Sequence, residues 1–399
     1  MHIRICNEMK ILIVIDSLRI GGIQNSLISL LSKIDYEKCD VDLLSFQRTD
    51  IYSQKIPDKV NIVKTTSFLD LLNTPLSTLK KKNFFKFLIR CFLSLFSKIF
   101  SSILVYKFAF LGIRIKKIYD VAISYTNNGS NKSLYFGSNM FVLKKVHAKK
   151  KISWLHVDYS KMKMDTKINK KEYLLFDKIV CVSKAVETEL IHSIPALLGK
   201  TEVIYNIVDA EAIYKKSNEK YHSELFSEFT IVTVSRIDQN KNIRECLNVA
   251  EKLEKKHITF KWLILGDGPE RHELQFQCEK KGLTEHFIFL GYIENPYPYI
   301  KNADLYVSTS LSESFGLSIF ESLVLSTPVV AREFPALHEY LKDGENGYIV
   351  SGGTDEIVDI VERCIISKGF IPDVKKTSSF MNLNARSLHN FYKVIKDEK

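Results

Sequence analysis

Two glutamates, Glu313 and Glu321, lie eight positions apart with a glycine, Gly316, between them. Glu313 falls in a loop after an apolar, strand-like run, and Glu321 falls about one turn into the helix predicted to follow. The first N–H groups of a helix have no partner inside it, so they form an anion site. Carboxylates at such positions can bind hydroxyl groups, the one in the loop those of a sugar and the one on the helix the two hydroxyls of a ribose. On spacing alone, Glu321 is equally well explained as an acid that the helix dipole favours.

Two cations, Arg236 and Lys241, follow another apolar run at residues 229–234. Open parallel sheets bind ligands at the carboxyl ends of their strands, and two positive charges at such a position suit a diphosphate. The alternative is a pair of solvated surface charges, the usual environment of arginine and lysine. Against that alternative, Arg236 follows a predicted buried strand closely, where exposure to solvent is not automatic.

These side chains belong to a regular alternation of strands and helices. A first strand, a turn at Gly21-Gly22, a helix at residues 24–33 and a second strand predict a parallel sheet. In the first half, strands are predicted at residues 11–15, 41–46, 121–124, 151–155, 178–182 and 203–205. The same alternation of strands and helices begins again in the second half, with strands predicted at residues 229–234, 260–265, 287–290, 305–308 and 328–331. The predicted fold class is therefore α/β, with two Rossmann-like parallel-sheet domains.

The length of 399 residues also fits two domains better than one. We expect an N-terminal domain at residues 1–205, a C-terminal domain at 206–370, and a helical tail at 371–399 that packs back on the N-terminal domain. The seven dispersed cysteines contain no C-x-x-C pair, which argues against a disulfide framework and a structural zinc. We read no signal peptide, and residues 1–8 are a candidate dispensable leader.

The net charge of +11 comes almost entirely from one segment, since residues 71–119 hold ten Lys or Arg and no Asp or Glu. A single basic patch does not favour a nucleic-acid partner. Within it, residues 83–101 predict an amphipathic helix whose polar face carries Lys86, Arg90, Ser94, Ser97 and Ser101. This helix either packs on the sheet with its cations in solvent, or lies on an anionic membrane with its Phe and Leu side chains inserted. Lys98 and Lys107 argue against a membrane-spanning helix.

Taken together, the motifs resemble the family-4 group of GT-B glycosyltransferases, which are retaining enzymes with two Rossmann-like domains facing across a cleft. The resemblance covers the chain from about residue 9 to residue 350, and eight pieces occur in the family's order. They are Gly21-Gly22-Ile23-Gln24, Trp154-Leu155-His156, Asn206-Ile207-Val208-Asp209, Ser235-Arg236-Ile237 through Lys241, Gly266-Asp267-Gly268-Pro269, Phe289-Leu290-Gly291-Tyr292, the Glu313/Glu321 pair, and Asp343-Gly344-Glu345-Asn346-Gly347-Tyr348. The family's usual Lys-Gly is Lys241-Asn242 here, and residues 67–119 match no motif of the family.

The resemblance implies that Arg236 and Lys241 neutralise the departing diphosphate. It implies that Glu321 holds the ribose hydroxyls and that Glu313 holds the transferred sugar. The catalytic residues implied are Glu313, His156, Arg236 and Lys241. The other implied donor contacts are Gly21, Gly22, Gly266, Tyr292, Ile293, Phe315, Gly316 and Leu317, largely through the backbone. No metal or other cofactor is implied, because the cations supply the charge that a divalent ion would.

The expected reaction moves a hexose or N-acetylhexosamine from a nucleotide-sugar, UDP-linked by expectation, to a lipid-linked or glycan acceptor of a cell-surface polysaccharide. The expected partners are this donor, this acceptor and an anionic membrane surface, with no nucleic acid, and the expected location is the inner face of a bacterial cell membrane. Two alternatives stay open at this point: a nucleotide-sugar 2-epimerase of the same fold, and a non-catalytic membrane-bound scaffold.

Overall fold

The structure is a computed structural model that describes residues 8–19, 21–47, 54–134, 137–159, 164–226, 229–367, 372, 374 and 382–396. The candidate leader at residues 1–8 lies outside these ranges except for Glu8. The chain forms two compact units: the first comprises Met1–Ile207 and Asn384–Lys399, and the second comprises Val208–Leu383. Each unit is an α/β unit built on its own parallel sheet.

The first unit contains a seven-stranded parallel sheet in the order β3-β2-β1-β4-β5-β6-β7. Its strands are β1 (Met9–Ser17), β2 (Cys39–Gln47), β3 (Asn61–Val63), β4 (Tyr119–Ser124), β5 (Ala148–Leu155), β6 (Lys178–Cys181) and β7 (Thr201–Val203). The apolar side chains of β1 are fully buried from Ile11 to Ile15, as expected for a central parallel strand covered on both faces. The chain order reverses direction between β1 and β4, which makes this pair the topological switch point of the sheet.

Helices connect these strands and cover the sheet. In chain order they are α1 (Gly22–Lys33), α2 (Ser67–Asn73), α3 (Leu76–Lys82), α4 (Phe84–Ile99), α5 (Ser102–Ala109), α6 (Ser138–Lys145), α7 (Lys167–Leu174) and α8 (Lys184–Ser193). Ser183 caps α8, as its sequence position predicts, because its side-chain oxygen accepts from the Val186 N–H at 3.2 Å.

The first unit is completed by the last helix of the described chain, α15 (Asn382–Lys396). The buried Lys150 Nζ of β5 donates to the Val394 carbonyl at 2.6 Å, and Asn390 donates to the Val203 carbonyl at 3.0 Å. The Tyr392 hydroxyl accepts from the Asp35 N–H at 2.7 Å. The helical tail therefore packs on the first unit.

The second unit contains a six-stranded parallel sheet in the order β10-β9-β8-β11-β12-β13. Its strands are β8 (Thr230–Val234), β9 (Lys261–Leu265), β10 (Phe287–Gly291), β11 (Leu305–Ser308), β12 (Val329–Arg332) and β13 (Gly347–Val350). Its helices are α9 (Ala210–Lys216), α10 (Ile243–Lys255), α11 (Arg271–Lys280), α12 (Tyr297–Asn302), α13 (Leu317–Val324) and α14 (Thr354–Ile366). Trp262 and Ile264 of β9 pack with Leu247 and Leu253 of α10 and with Val361 of α14 in the core of this unit.

The helix α4 of the basic segment buries two members of its predicted polar face and exposes many of its apolar side chains. Arg90 is only 3% exposed and Ser97 is fully buried, whereas six large apolar side chains of the helix are exposed. The exposed large side chains of α4 and the residues after it are Phe84, Phe85, Leu88, Phe92, Leu95, Ile99, Phe100, Leu104, Phe108 and Leu111. We call these ten side chains the apolar face. Exposed Lys86 and Lys98 lie on the same helix as these apolar side chains, so the choice between packing on the sheet and lying on a membrane stays a prediction.

The described part of the chain contains no helix that is both long and apolar enough to cross a membrane.

Candidate functional site

In the second unit, the sequence-predicted residues follow four neighbouring strands. Arg236 and Lys241 come after β8, Gly266 follows β9, Tyr292 follows β10, and Glu313 comes after β11. These strands lie side by side in the order β10-β9-β8-β11. Because the strands are parallel, all of their carboxyl ends meet at one edge of the sheet. This edge also includes the switch point between β8 and β11.

Lys241 and Glu313 contact each other directly. The Lys241 ammonium forms an ion pair with Glu313 Oε1, and both side chains are largely buried, with 24% and 16% of their surface exposed. Asn240 Nδ2 donates to the Ser312 carbonyl at 2.8 Å, and the Leu311 N–H donates to the Asn240 carbonyl at 2.8 Å. The loops after β8 and β11 are thus held together, and a single group bound here could reach both the cation and the carboxylate.

Asn242 occupies the position where the resemblance expects glycine. Its φ of 51° and ψ of 44° place it in the left-handed region, where asparagine is among the few tolerated residues besides glycine. Its side-chain amide donates to Glu245 Oε2 at 2.6 Å, and Thr309 Oγ1 donates to the Asn242 carbonyl at 2.9 Å. The substitution therefore keeps the turn that presents Lys241.

Arg236 is the more accessible of the two cations. Its side chain is 73% exposed, and its Nε lies 3.3 Å from Asp238 Oδ2. The interpretation of Arg236 as shielded by the preceding strand is not what the structure shows. An exposed guanidinium at this edge is free to move onto an anion, since a surface pair of this kind contributes little stability.

Gly316 forms the turn that starts α13. Its φ of 79° is left-handed, and a Cβ at this position would lie 2.7 Å from the Tyr340 hydroxyl and 3.0 Å from the Phe334 ring. The Tyr340 hydroxyl donates to the Phe315 carbonyl at 2.6 Å. Tyr340 thus fixes the backbone that precedes the first N–H groups of α13, including that of Leu317. Those groups form an anion site at the same edge as Lys241.

Glu321 lies on α13 and is held by Tyr297. The Tyr297 hydroxyl donates to Glu321 Oε1 at 3.1 Å. Burial raises the pKa of Glu321 to about 7, against smaller opposing effects of Tyr297 and Lys216. Burial also raises the pKa of the Tyr306 phenol, with smaller contributions from the charges of Glu313 and Glu321.

Gly266 lies beside the end of β10, on the side of β8 that faces away from β11. The Gly266 N–H donates to the Gly291 carbonyl at 2.7 Å. A Cβ on Gly266 would lie 1.8 Å from the Ser235 carbonyl oxygen, so close backbone approach alone explains the glycine. Tyr292 is 51% exposed and Ile293 is half-buried, which leaves both accessible beside this contact.

In the first unit, Gly21 and Gly22 begin α1, and His156 directly follows β5. Gly21 has an extended backbone, and its carbonyl accepts from the Asn25 N–H at 3.0 Å. His156 is 5% exposed, and burial lowers its pKa to about 3, so the ring is neutral at physiological pH. Its Nε2 has no hydrogen-bond partner among the described residues. The predicted contacts of these three residues with the donor stay predictions.

Three residues that support this site were missed by sequence reasoning. Tyr297 and Tyr340 orient Glu321 and the Gly316 turn. Thr309 Oγ1 lies 3.1 Å from the Lys241 carbonyl oxygen and 2.9 Å from the Asn242 carbonyl oxygen, which share its one hydroxyl proton. Each acts through a hydroxyl group brought in by the tertiary fold, and no local spacing in the sequence marks that role. Among the described residues, no group of three or more His, Cys, Asp or Glu gathers as in a metal site.

Comparison with known proteins links this second unit to a family. Residues 216–377 match the family model described as "Glycosyl transferases group 1". Alpha-monoglucosyldiacylglycerol synthase of Streptococcus pneumoniae is 32% identical over 170 residues, which are 42% of this chain and 38% of that protein. A Campylobacter jejuni protein is 30% identical over 175 residues, which are 44% of this chain and 46% of that protein. Its name is N-acetylgalactosamine-N,N'-diacetylbacillosaminyl-diphospho-undecaprenol 4-alpha-N-acetylgalactosaminyltransferase. Each match spans less than half the length of these curated relatives.

A solved structure extends the likeness over both units. The crystal structure of Anabaena HepE in complex with UDP-glucose matches 97% of this chain and 100% of that chain, with a TM-score of 0.69 and 18% identity. At this identity the likeness shows the fold alone. Together with the two parallel sheets, it confirms the predicted GT-B fold class.

Proposed function

We propose that this chain, whose residues 216–377 match the group 1 glycosyltransferase family model, is a retaining glycosyltransferase that uses a nucleotide-sugar donor. The observation that carries the proposal is the gathering of Lys241, Glu313 and the start of α13 at the carboxyl edge of the second sheet. These three groups match the parts of a sugar diphosphate. The cation and the N–H groups at the helix start suit the charged phosphates, and the carboxylate suits the sugar hydroxyls.

In this proposal, each side chain binds one part of the donor. Lys241 and Arg236 bind the diphosphate, Glu313 exchanges its contact with Lys241 for the sugar hydroxyls, and Glu321 binds the ribose. The site is prepared for this exchange because Lys241 is already beside Glu313. The loop at Tyr292 and Ile293 binds the base, largely through its backbone. The proposed donor is UDP-linked and carries a hexose or N-acetylhexosamine.

The proposed mechanism depends on charge. In the transition state, the sugar becomes oxocarbenium-like as its C1–O bond to the phosphate breaks, and the departing phosphate gains negative charge. Preorganised cations and the N–H groups of α13 stabilise that charge most strongly in the transition state. The acceptor hydroxyl forms the new C1–O bond on the same face, and its proton passes to the departing phosphate oxygen. Lys241 and Arg236 supply the charge compensation, so we propose that no metal ion is needed.

The test combines donor binding with turnover. A panel of nucleotide-sugars is screened by thermal shift, since a ligand that binds the folded state raises the melting temperature. Lys241→Ala and Glu321→Ala should abolish that shift and the release of nucleotide while leaving the circular dichroism spectrum unchanged. Lys256→Ala and Glu362→Ala are the matched controls, because these residues pair with each other at the C-terminal end of α10, away from this edge. Full activity in Lys241→Ala or Glu321→Ala removes the proposal. Epimerised donor formed without an acceptor supports the 2-epimerase instead.

We further infer that the acceptor is a lipid-linked or glycan chain of a surface polysaccharide, and that transfer occurs at the inner face of the membrane. The support is the apolar face of α4 and α5. Its side chains on α4 fall within about one third of the helix circumference, because they recur at three- and four-residue intervals. Lys86 and Lys98 of α4 and Lys107 of α5 are exposed on the same two helices, and exposed Lys80, Lys81 and Lys82 end the preceding helix α3. No acid occurs between residues 71 and 119.

An anionic bilayer is the occupant that fits both features. Apolar side chains enter the boundary between headgroups and acyl chains, and each neighbouring cation contributes about 1 kcal/mol at an anionic surface. A protein partner would have to supply an acidic rim around an apolar surface that contains five phenylalanines. The names of the two relatives above include a diacylglycerol and a diphospho-undecaprenol, which are both lipids.

Flotation with liposomes tests this inference. The protein should float with vesicles of phosphatidylglycerol and phosphatidylcholine, and Phe85→Ser with Phe92→Ser should reduce the bound fraction at any salt concentration. Lys80, Lys81 and Lys82 changed to Glu should reduce it chiefly at low salt. Phe276→Ser is the control, because Phe276 is 55% exposed on the second unit. If the Phe85/Phe92 variant floats like the wild type, or if the wild type fails to float and sediments as a dimer, the membrane assignment is wrong.

A further inference from the structure

Arg271, the first residue of α11, has a guanidinium group with few partners. In the described part of the second unit, its Nε is the one buried side-chain atom without a hydrogen-bond partner. Its Nη1 lies 3.6 Å from Asp267 Oδ2, which is too far for a hydrogen bond. A guanidinium carries five N–H donors, and a buried donor without an acceptor is destabilising. The group therefore needs an explanation.

Arg244 shows how an arginine of the same unit satisfies its donors. Its Nη1 donates to Gln277 Oε1 at 2.8 Å, and its Nη2 donates to Glu273 Oε1 at 2.8 Å. The Arg244 side chain is 39% exposed, whereas that of Arg271 is only 26% exposed. Arg271 is thus the less solvated of the two and the one with fewer acceptors. The exposed quarter of its side chain still leaves it accessible to a ligand.

The position of Arg271 indicates where such a ligand lies. A Cβ on Gly291, the last residue of β10, would lie 3.0 Å from Arg271 Nη1 and 3.4 Å from its Cζ, so the guanidinium packs directly against this glycine. Tyr292 and Ile293, the residues proposed to bind the base, come next in the chain. The unsatisfied guanidinium therefore lies beside the loop that binds the base in the proposed function.

We propose that Arg271 selects the base of the donor by donating a hydrogen bond to O4 of uracil. This inference rests on the proposed glycosyltransferase function and names the residue that sets the choice of nucleotide. A guanidinium can only donate, and a keto oxygen can only accept. Cytosine and adenine have an amino group, itself a donor, where uracil has O4. An amino group facing Arg271 leaves donors on both sides without an acceptor, which is unfavourable.

The diphosphate is the other acceptor that a guanidinium can bind, and the topology of the sheet argues against it. The cations proposed for the diphosphate, Arg236 and Lys241, follow β8. In the order β10-β9-β8, the end of β10 is two strands away from β8, which is about 10 Å at the usual strand spacing. Arg271 packs at the end of β10, so it lies on the base side of the donor.

Calorimetric titration of the full chain with UDP and CDP tests this assignment. The two nucleotides share the ribose and the diphosphate, and they differ along one edge of the base, where UDP has O4 and CDP has an amino group. We expect the wild type to bind UDP about tenfold more tightly than CDP. Arg271→Met keeps an apolar stem without donors, so it should weaken UDP binding about tenfold and leave CDP binding unchanged. Lys280→Met, at the other end of α11, is the control and should keep both affinities.

A second measurement changes the ligand and does not depend on the folding of Arg271→Met. In 4-thio-UDP a sulfur replaces O4, and because sulfur is a weak acceptor the wild type should bind this analogue about fivefold more weakly than UDP. Equal weakening of UDP and CDP in Arg271→Met shows that Arg271 serves the phosphates or the fold, and overturns the assignment. A wild type that does not prefer UDP over CDP, or that binds 4-thio-UDP as tightly as UDP, overturns it as well. A wild type that binds neither nucleotide instead refutes the proposed function.

Discussion

Asn242 gives a sharp test of how the second unit presents Lys241. The residue adopts φ 51° and donates to Glu245 Oε2 at 2.6 Å. Changing Asn242 to Ala places a Cβ-bearing residue without a polar side chain in the left-handed region, which costs about 1 kcal/mol. The same change removes one hydrogen bond, worth about 1 kcal/mol. Glu245 keeps its contact with Arg332 at 2.8 Å, so no buried charge is left without a partner.

The expected loss in the free energy of unfolding is therefore about 2 kcal/mol for Asn242→Ala. Asn242→Gly loses the hydrogen bond but suits the left-handed backbone, and its expected loss is about 1 kcal/mol. Urea denaturation followed by tryptophan fluorescence measures both, since Trp262 lies in the core of this unit. An alanine variant as stable as the glycine variant refutes the reasoning, because backbone strain then contributes nothing at this position. The glycine variant should also keep the nucleotide affinity of the wild type.

Three further predictions concern the same edge of the second sheet. Gly316→Ala should cost about 3 kcal/mol of folding stability, because the added Cβ would meet Tyr340 and Phe334. Gly344→Ala is the control, since Gly344 has a similar φ of 74° but open space around it, and it should cost about 1 kcal/mol. Equal losses of stability in thermal unfolding would contradict the close contact at Gly316. Burial raises the pKa of Glu321 from 4.5 to about 7, so its contribution to stability is lost as the pH rises from about 4.5 through 7. Across that range, Glu321→Gln should therefore gain up to about 3 kcal/mol on the wild type. A flat difference between these two proteins, measured by denaturation at pH 4.5 and pH 8 with Glu273→Gln as the exposed control, would show that Glu321 is not perturbed. Tyr297→Phe should weaken UDP binding about fivefold in calorimetric titration, because Glu321 loses the hydroxyl that orients it, while Tyr214→Phe on the surface should change nothing.

The sheets could be predicted from sequence because their strands are continuous apolar runs. Residues 11–15, predicted as a strand, are fully buried in β1, and the predicted strand at 305–308 is β11. Short or polar elements were missed for a physical reason: β3 has three residues with none buried, and β13 begins inside a turn motif. Their strand conformation depends on pairing with β2 and β12, which local sequence does not encode.

The orientation of α4 could not be predicted from the periodicity of its sequence. The spacing of Lys86, Arg90, Ser94 and Ser97 defines two faces of the helix, but it does not state which face meets solvent. The usual rule places the apolar face inward, and here Arg90 and Ser97 are buried instead.

In the candidate site, the sequence pattern identified Lys241 and Glu313 separately. Their direct contact depends on β8 and β11 being neighbours, which only the topology of the sheet provides.

The helix α15 has a consequence for how the protein is made. The first unit takes its final helix from residues synthesised after the whole second unit, since Asn384–Lys399 cluster with Met1–Ile207. During synthesis, the first unit therefore stays incomplete until the end of the chain is made. Until then, the Lys150 ammonium lacks its contact with the Val394 carbonyl, and the Trp154 ring lacks its contact with Phe391. The unit that is synthesised first therefore completes its packing last. A nascent chain that ends before residue 382 exposes the surface that α15 later covers, and we expect a chaperone to bind it there.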